Sequence, residues 1–191
     1  KLTDLGEDDH LDFKKIDAQE TKFENESFNF VIASNMIHHI PFPLKFFKEM
    51  NRILKKDGKL IIFEPYASVI CQLVSIIMKH EGFDFTLNVW DDKEAKSDEY
   101  NAWHGNIAVS NLIFDDKNKF EQNLGKLFKI EYEKLTECLI FLNSGGVTSK
   151  TKFIPLNRFF LNLLHNIDKI LVKSLPNIFC MGRRIVLVKS D

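Results

Sequence analysis

The chain has 191 residues, enough for one sizeable α/β core and too few to argue for two domains, and its 45% apolar and 28% charged content is that of a globular protein. A formal net charge of −1 supplies no global field to recruit nucleic acid or an anionic membrane surface. Cys71, Cys138 and Cys180 stand far apart with no CxxC spacing, which argues against a zinc site or a disulfide scaffold and fits a reducing cytoplasm, while no signal peptide opens the chain and no apolar run could span a bilayer.

In chain order, Lys1 to Asp4 reads as the tail of a strand, and Leu11 to Ile16 as a weaker strand ending in Asp17-Ala18. Phe28 to Ser34 (FNFVIAS) follows an Asn25-Glu26-Ser27 turn and reads as a buried strand. Pro43 sits where a first helical residue has no use for its N–H, and Phe46, Phe47, Met50, Ile53 and Leu54 recur at helical spacing behind it. Gly58 is placed to end that helix in a left-handed conformation, and Lys59 to Phe63 (KLIIF) is a second buried strand. Strand, helix and strand with short joints form a βαβ unit, with parallel strands and a right-handed crossover.

Val69 to Lys79 is an apolar-periodic helix. Residues 81–111 carry Trp90, Tyr100 and Trp103 without clear periodicity, and read as an insertion or lid within a single domain spanning 1–191. Phe128 to Leu142 resembles one long strand. Pro155 to Leu175 is a helix with a broad apolar face including Phe159, Phe160, Leu163, Ile167 and Ile170; its Asp168, Lys169 and several Asn argue against a membrane span but leave peripheral contact open. Arg183 to Lys189 is a closing strand.

The run from Asp17 to Pro65 is the informative part: Asp17-Ala18, a polar loop, ESFNFVIASNMIHHI, a Pro-started helix, then EMNRILKKDGKLIIFEP. It resembles class I S-adenosylmethionine-dependent methyltransferases, most closely the type-11 methyltransferase domain, where D-A, an SFD-x-V strand, a polar-aromatic turn and R-x-LKPGG-x-L occur in this order. The resemblance implies a Rossmann-like α/β sheet, mostly parallel with an antiparallel C-terminal strand. It also implies S-adenosyl-L-methionine as cofactor. The family's glycine-rich loop would precede Lys1, since Gly6 stands alone and no G-x-G occurs. The expectation is therefore of a domain lacking its first strand and first helix, N-terminally truncated from a longer parent that carries the activity.

Asp4, Asp17, Asn35 and Glu64-Pro65 fall at the ends of expected strands, where open α/β sheets bind ligands. By resemblance, Asp4 would bind the ribose hydroxyls, Asp17 the adenine amino group with Ala18 leaving room for the ring, and Asn35 would lie beside the methionine part. A turn or cap is the alternative for each. His38 and His39 are candidates for substrate contact or general base; a structural role for one of them stays open. A metal is disfavoured, because neighbouring side chains diverge in regular structure and no nearby Cys, Asp or Glu completes a ligand set. Glu64, Tyr66 and His80 are expected on the substrate side, with His80-Glu81 and Trp103-His104 in or beside a substrate wall. Ser144-Gly145-Gly146 reads as a turn, with an anion-binding nest as the alternative.

The function expected is methyl transfer to a small-molecule acceptor, small or medium-sized, without nucleic acid. Two alternatives are a catalytically degenerate methyltransferase-like binding module and another Rossmann-type nucleotide-binding enzyme.

Overall fold

A computed structural model describes residues 16–98, 104–144 and 152–190. Asp4, most of the strand expected over 11–16, Tyr100, Trp103 and Gly145-Gly146 lie outside the described residues. The described elements run in the order β1 (Phe28–Ser34), a 3₁₀ turn (Ile37–His39), α1 (Pro43–Ile53), β2 (Leu54–Pro65), α2 (Val69–Met78), α3 (Val109–Phe114), α4 (Lys117–Leu124), β3 (Phe128–Thr136), α5 (Leu139–Asn143), α6 (Arg158–Ser174), α7 (Pro176–Phe179) and β4 (Gly182–Lys189).

The sheet order is β1-β2-β4-β3. β1 and β2 are parallel, as the βαβ reading requires, while β4 inserts antiparallel to both β2 and β3. Among the described residues the mostly parallel sheet is thus represented by one ladder. Pairing of Leu60 with Leu187 and Ile62 with Ile185 puts all four side chains on one fully buried face. Against that face pack Phe46, Phe47, Met50 and Ile53 of α1, Ile113 and Phe114 of α3, Phe120 and Leu124 of α4, and Phe128. Phe47 is the hub, with rings 5.2 Å from Phe46 and 6.3 Å from both Phe114 and Phe128 in edge-on contact.

Four expectations change. β1 is not fully buried: Ala33 faces the core, whereas Phe30 and Ile32 on the other side are 61% and 64% exposed. The left-handed residue after α1 is Asp57 (φ 58°), and the helix has already ended with the Leu54 N–H donating to Met50 O. Gly58 is needed for another reason: a Cβ there would lie 2.8 Å from Lys55 O. The long strand expected to Leu142 stops at Thr136, because Glu137 adopts φ 47° and the chain turns into α5. Asp168 of α6 accepts from the N–H groups of Cys138, Leu139 and Ile140 at 3.2, 2.7 and 2.9 Å, satisfying donors that a helix start leaves without partners.

The fourth change concerns α6 itself. Asn157 caps it by accepting from the Phe160 N–H at 3.1 Å. Its buried residues are Asp168 and Val172, and the apolar face turns outward, with Phe159 70% and Ile170 66% exposed. No described helix is long and apolar enough to cross a membrane.

Candidate functional site

The carboxyl ends of the parallel strands β1 and β2 carry the polar residues that the sequence singles out, and Glu64 organises them. Its side chain is buried at the end of β2 and reaches across to the chain leaving β1. Oε1 accepts from the N–H groups of Met36 and Ile37, each at 2.8 Å, and Oε2 lies 3.4 Å from His38 N. A carboxylate thus takes the free donors at the start of the 3₁₀ turn. His38 Nδ1 lies 2.5 Å from the same Oε2, so the ring is fixed with Nδ1–H donating to the carboxylate.

The turn also brings the two histidine rings together. Their centroids are 4.1 Å apart, and both meet Glu81, which follows α2. His38 Nε2 lies 3.2 Å from Glu81 Oε2, His39 Nε2 3.2 Å from Glu81 Oε1, and His80 Nε2 3.5 Å from Glu81 Oε1. Gly105 closes the other side: a Cβ on it would stand 2.7 Å from His38 Cδ2 and 2.8 Å from His39 Cε1. The backbone follows suit, with Asn106 N–H donating to His38 O at 2.8 Å. Glu81 and Gly105, from the described parts of residues 81–111, therefore belong to a cluster built on the β1–β2 end. The argument that adjacent histidines diverge does not hold here, because a 3₁₀ turn is too tight for the spacing of a strand or an α-helix.

Burial alone would lower the His38 pKa, but the Glu64 and Glu81 carboxylates on either side outweigh it and push it up to about 9. Burial works against the charged form of Glu81, yet His38 and His39 hold its pKa well below the usual carboxylate range.

Beside this cluster is a cavity of about 140 Å³. Phe63, Val74, Ile107, Phe141 and Met181 give it apolar walls; Asn35, Ser75, His80, Thr136 and Arg184 supply polar groups, with Glu64 and Glu81 at the inner side. Asn35 adopts φ 48°, a left-handed conformation that Asn tolerates, and its N–H still donates to Phe63 O at 2.7 Å. Cys71 also lines the cavity, and burial pushes its thiol up to about 12, so it is no nucleophile near neutral pH. Cys138 and Cys180 are likewise buried free thiols.

The structure distributes the expected site residues unevenly. Asn35, Glu64 and His80 line the cavity. Tyr66 does not: it is buried below the sheet edge, its hydroxyl donates to Asn177 Oδ1 at 2.6 Å, and the Arg183 guanidinium lies 4.8 Å from its ring centre. Asp17 sits in an exposed turn where its Oδ1 accepts from Gln19 N at 2.9 Å, while Ala18 is buried. Neither belongs to the cavity wall, and neither do His38 and His39. With a residue exposure of 1%, His38 has no open path to an acceptor. His104 is exposed beside Asp98.

The sequence reading missed the partnership of Glu81 with the histidines, the clasp by Glu64 and the flush contact of Gly105. It also missed Arg183, which donates to Ser110 O at 2.8 Å and pairs with Asp115. The available hint was strand alternation, which puts Arg183 in phase with Ile185 and Leu187 on the buried face, where it needs a partner.

Residues 2–62 match the family described as Methyltransferase domain. The chain is 32% identical over 109 residues to the demethylmenaquinone methyltransferase of Staphylococcus haemolyticus (strain JCSC1435), covering 56% of this chain and 42% of that protein. It is 23% identical over 117 residues to the phosphatidylethanolamine N-methyltransferase of Cereibacter sphaeroides, covering 61% and 51% respectively. The chain thus spans about half the length of these relatives. Among solved structures, a SAM-dependent methyltransferase from Archaeoglobus fulgidus superposes with a TM-score of 0.48 at 15% identity, over 93% of this chain and 66% of that one. The match over 2–62, which takes in nearly all of the Asp17 to Pro65 run, makes that part of the chain similar to the methyltransferase domain family, in line with its likeness to the two methyltransferases above.

Proposed function

We propose that the whole protein transfers a methyl group from S-adenosylmethionine to an O, N or C nucleophile of a small or medium-sized, partly apolar acceptor. The observation that carries this reading is the family match over residues 2–62, joined to a polar cavity wall at the carboxyl ends of parallel β1 and β2. The cofactor supplies an activated methyl on a sulfonium centre. Of the residues assigned to it by resemblance, Asn35 holds an exposed side chain on the cavity wall at the end of β1 and the Asp17 carboxylate is accessible from solvent, whereas Ala18 is buried in the core. Asp4 is the fourth residue assigned to that role by resemblance.

On the acceptor side, the chain's own contribution is alignment and exclusion of water by the apolar cavity walls. A base is needed only where the nucleophile is a weak acid. His38 and His39 are off the cavity wall, so His80, which lines it and lies 3.5 Å from Glu81 Oε1, is the imidazole best placed to take that proton. Isothermal titration of the whole protein with S-adenosylhomocysteine tests the reading: saturable binding of one molecule per protein is expected. No binding overturns it, and binding of NAD instead supports a different nucleotide enzyme.

A further inference from the structure

We propose that His38, His39 and Glu81 form a binding site for one divalent transition-metal ion, of the zinc type. Among the described residues these side chains form a group whose ligand atoms all lie within 4.8 Å of one another.

Three observations carry this beyond mere proximity. The first is spacing. His38 Nε2 to Glu81 Oε2 and His39 Nε2 to Glu81 Oε1 are both 3.2 Å, each ring meeting its own oxygen of the carboxylate, so one ion between the rings would be held by both oxygens or after a small turn of the carboxyl group. Tetrahedral zinc, with bonds of about 2.0–2.1 Å to imidazole nitrogen and carboxylate oxygen, sets neighbouring ligand atoms about 3.3 Å apart. A charge-assisted hydrogen bond would draw the pair to about 2.7–2.9 Å.

The second is unmet demand. His38 Nε2 and Glu81 Oε2 are both shielded from solvent and face each other at 3.2 Å as an ion pair, without making a hydrogen bond. Buried polar atoms that make no hydrogen bond are rare and costly, and a bound cation would satisfy both at once.

The third is the outer support. Nδ1–H of His38 is committed to Glu64 at 2.5 Å, which leaves Nε2 facing Glu81, and an ion bound there would displace the Nε2 proton. Carboxylate–histidine pairs of this kind orient metal-binding imidazoles and raise their basicity. Glu64 is itself fixed by the Met36 and Ile37 N–H groups, so the support is rigid. Gly105 lies flush against both rings and leaves them no room to swing away.

Two imidazoles and one carboxylate select zinc, cobalt or nickel over magnesium or calcium, which prefer oxygen donors alone. Three protein ligands leave a fourth position for water or another ligand. The side chain of His39 retains 21% exposure and gives an ion a way in.

The test uses untagged protein stripped with a chelator. Titration with Zn²⁺ should show one ion bound per chain, unaffected by excess Mg²⁺, and Co²⁺ should give the visible absorption of a tetrahedral nitrogen–oxygen site. His39→Phe keeps the ring volume but removes the nitrogens, and should abolish saturable uptake while the far-ultraviolet circular dichroism stays unchanged. Glu81→Gln should do the same. Absence of one-to-one uptake by the unmodified chain overturns the proposal, as does a Co²⁺ spectrum of octahedral type or full uptake by folded His39→Phe. None of these readouts depends on methyl transfer, so failure here and failure of the proposed function are separable.

Discussion

The chain uses phenylalanine in two opposite settings. Phe46, Phe47, Phe114, Phe120 and Phe128 are closed off beneath the sheet, whereas Phe159 and Phe160 stand on the outer side of α6. Both groups arise from helical or strand spacing that looks equally core-forming in the sequence. The difference lies in what anchors each element. α1 is held by its apolar face, while α6 is held by Asp168, whose carboxylate serves three N–H groups at the start of α5. Periodicity fixes that a helix forms and which residues share a side. It does not fix which side meets the protein.

The contrast can be broken at either end. Phe47→Ala should cost about 3–5 kcal/mol, the range for emptying an aromatic site in a packed core, as measured by urea unfolding. A loss below about 1 kcal/mol would show that the Phe47 hub is not closely packed. Asp168→Ala should cost about 1–3 kcal/mol by leaving buried N–H groups without an acceptor. Its signature in hydrogen exchange is local: the amides of Cys138, Leu139 and Ile140 should lose protection first, and unchanged exchange there would sink the anchoring role.

A smaller, pH-dependent effect belongs to the α1 side. Glu49 accepts from Arg52 Nε and Nη2 at 2.8 and 2.7 Å and from Thr21 N at 2.8 Å, tying the segment before β1 to the helix. The Arg52 hydrogen bonds, supported by Thr21 against the opposing effect of burial, hold its pKa down at about 2 rather than 4.5. Because the folded value is depressed, the stabilisation is complete above pH 4.5 and disappears as pH falls toward 2. Glu49→Gln should therefore flatten the stability profile in that window; a profile parallel to that of the unmodified chain would refute the linkage. The smallest effect is expected at Phe160→Ser, within about 0.5 kcal/mol. A cost matching Phe47→Ala would mean that the α6 face is covered in solution.

The elements that local chemistry dictates were legible before any coordinates. β1 occupies the span read from FNFVIAS, α1 starts at Pro43, and β2 contains KLIIF. What was not legible depends on partners remote in sequence. Nothing near Glu137 announces that Asp168 will draw the following residues into a helix. Likewise, the pattern His38-His39 looks like two diverging side chains until Glu81 and Gly105 arrive from the segment beyond α2. Of the candidate site, Asn35 and Glu64 line the cavity from strand ends, which are readable in sequence, and His80 lines it from the chain just after α2. Tyr66 was misplaced because the residue two beyond Glu64 faces Arg183 rather than the cavity.

Gly105 bears on how this protein can vary. It has no reactive group, yet the space that its missing side chain would occupy is already taken by both imidazoles. A methyl there displaces two histidines at once, so a saturation screen should find position 105 nearly as intolerant as the ionisable residues that it touches. A residue with no functional group would then behave, genetically, as part of the functional centre.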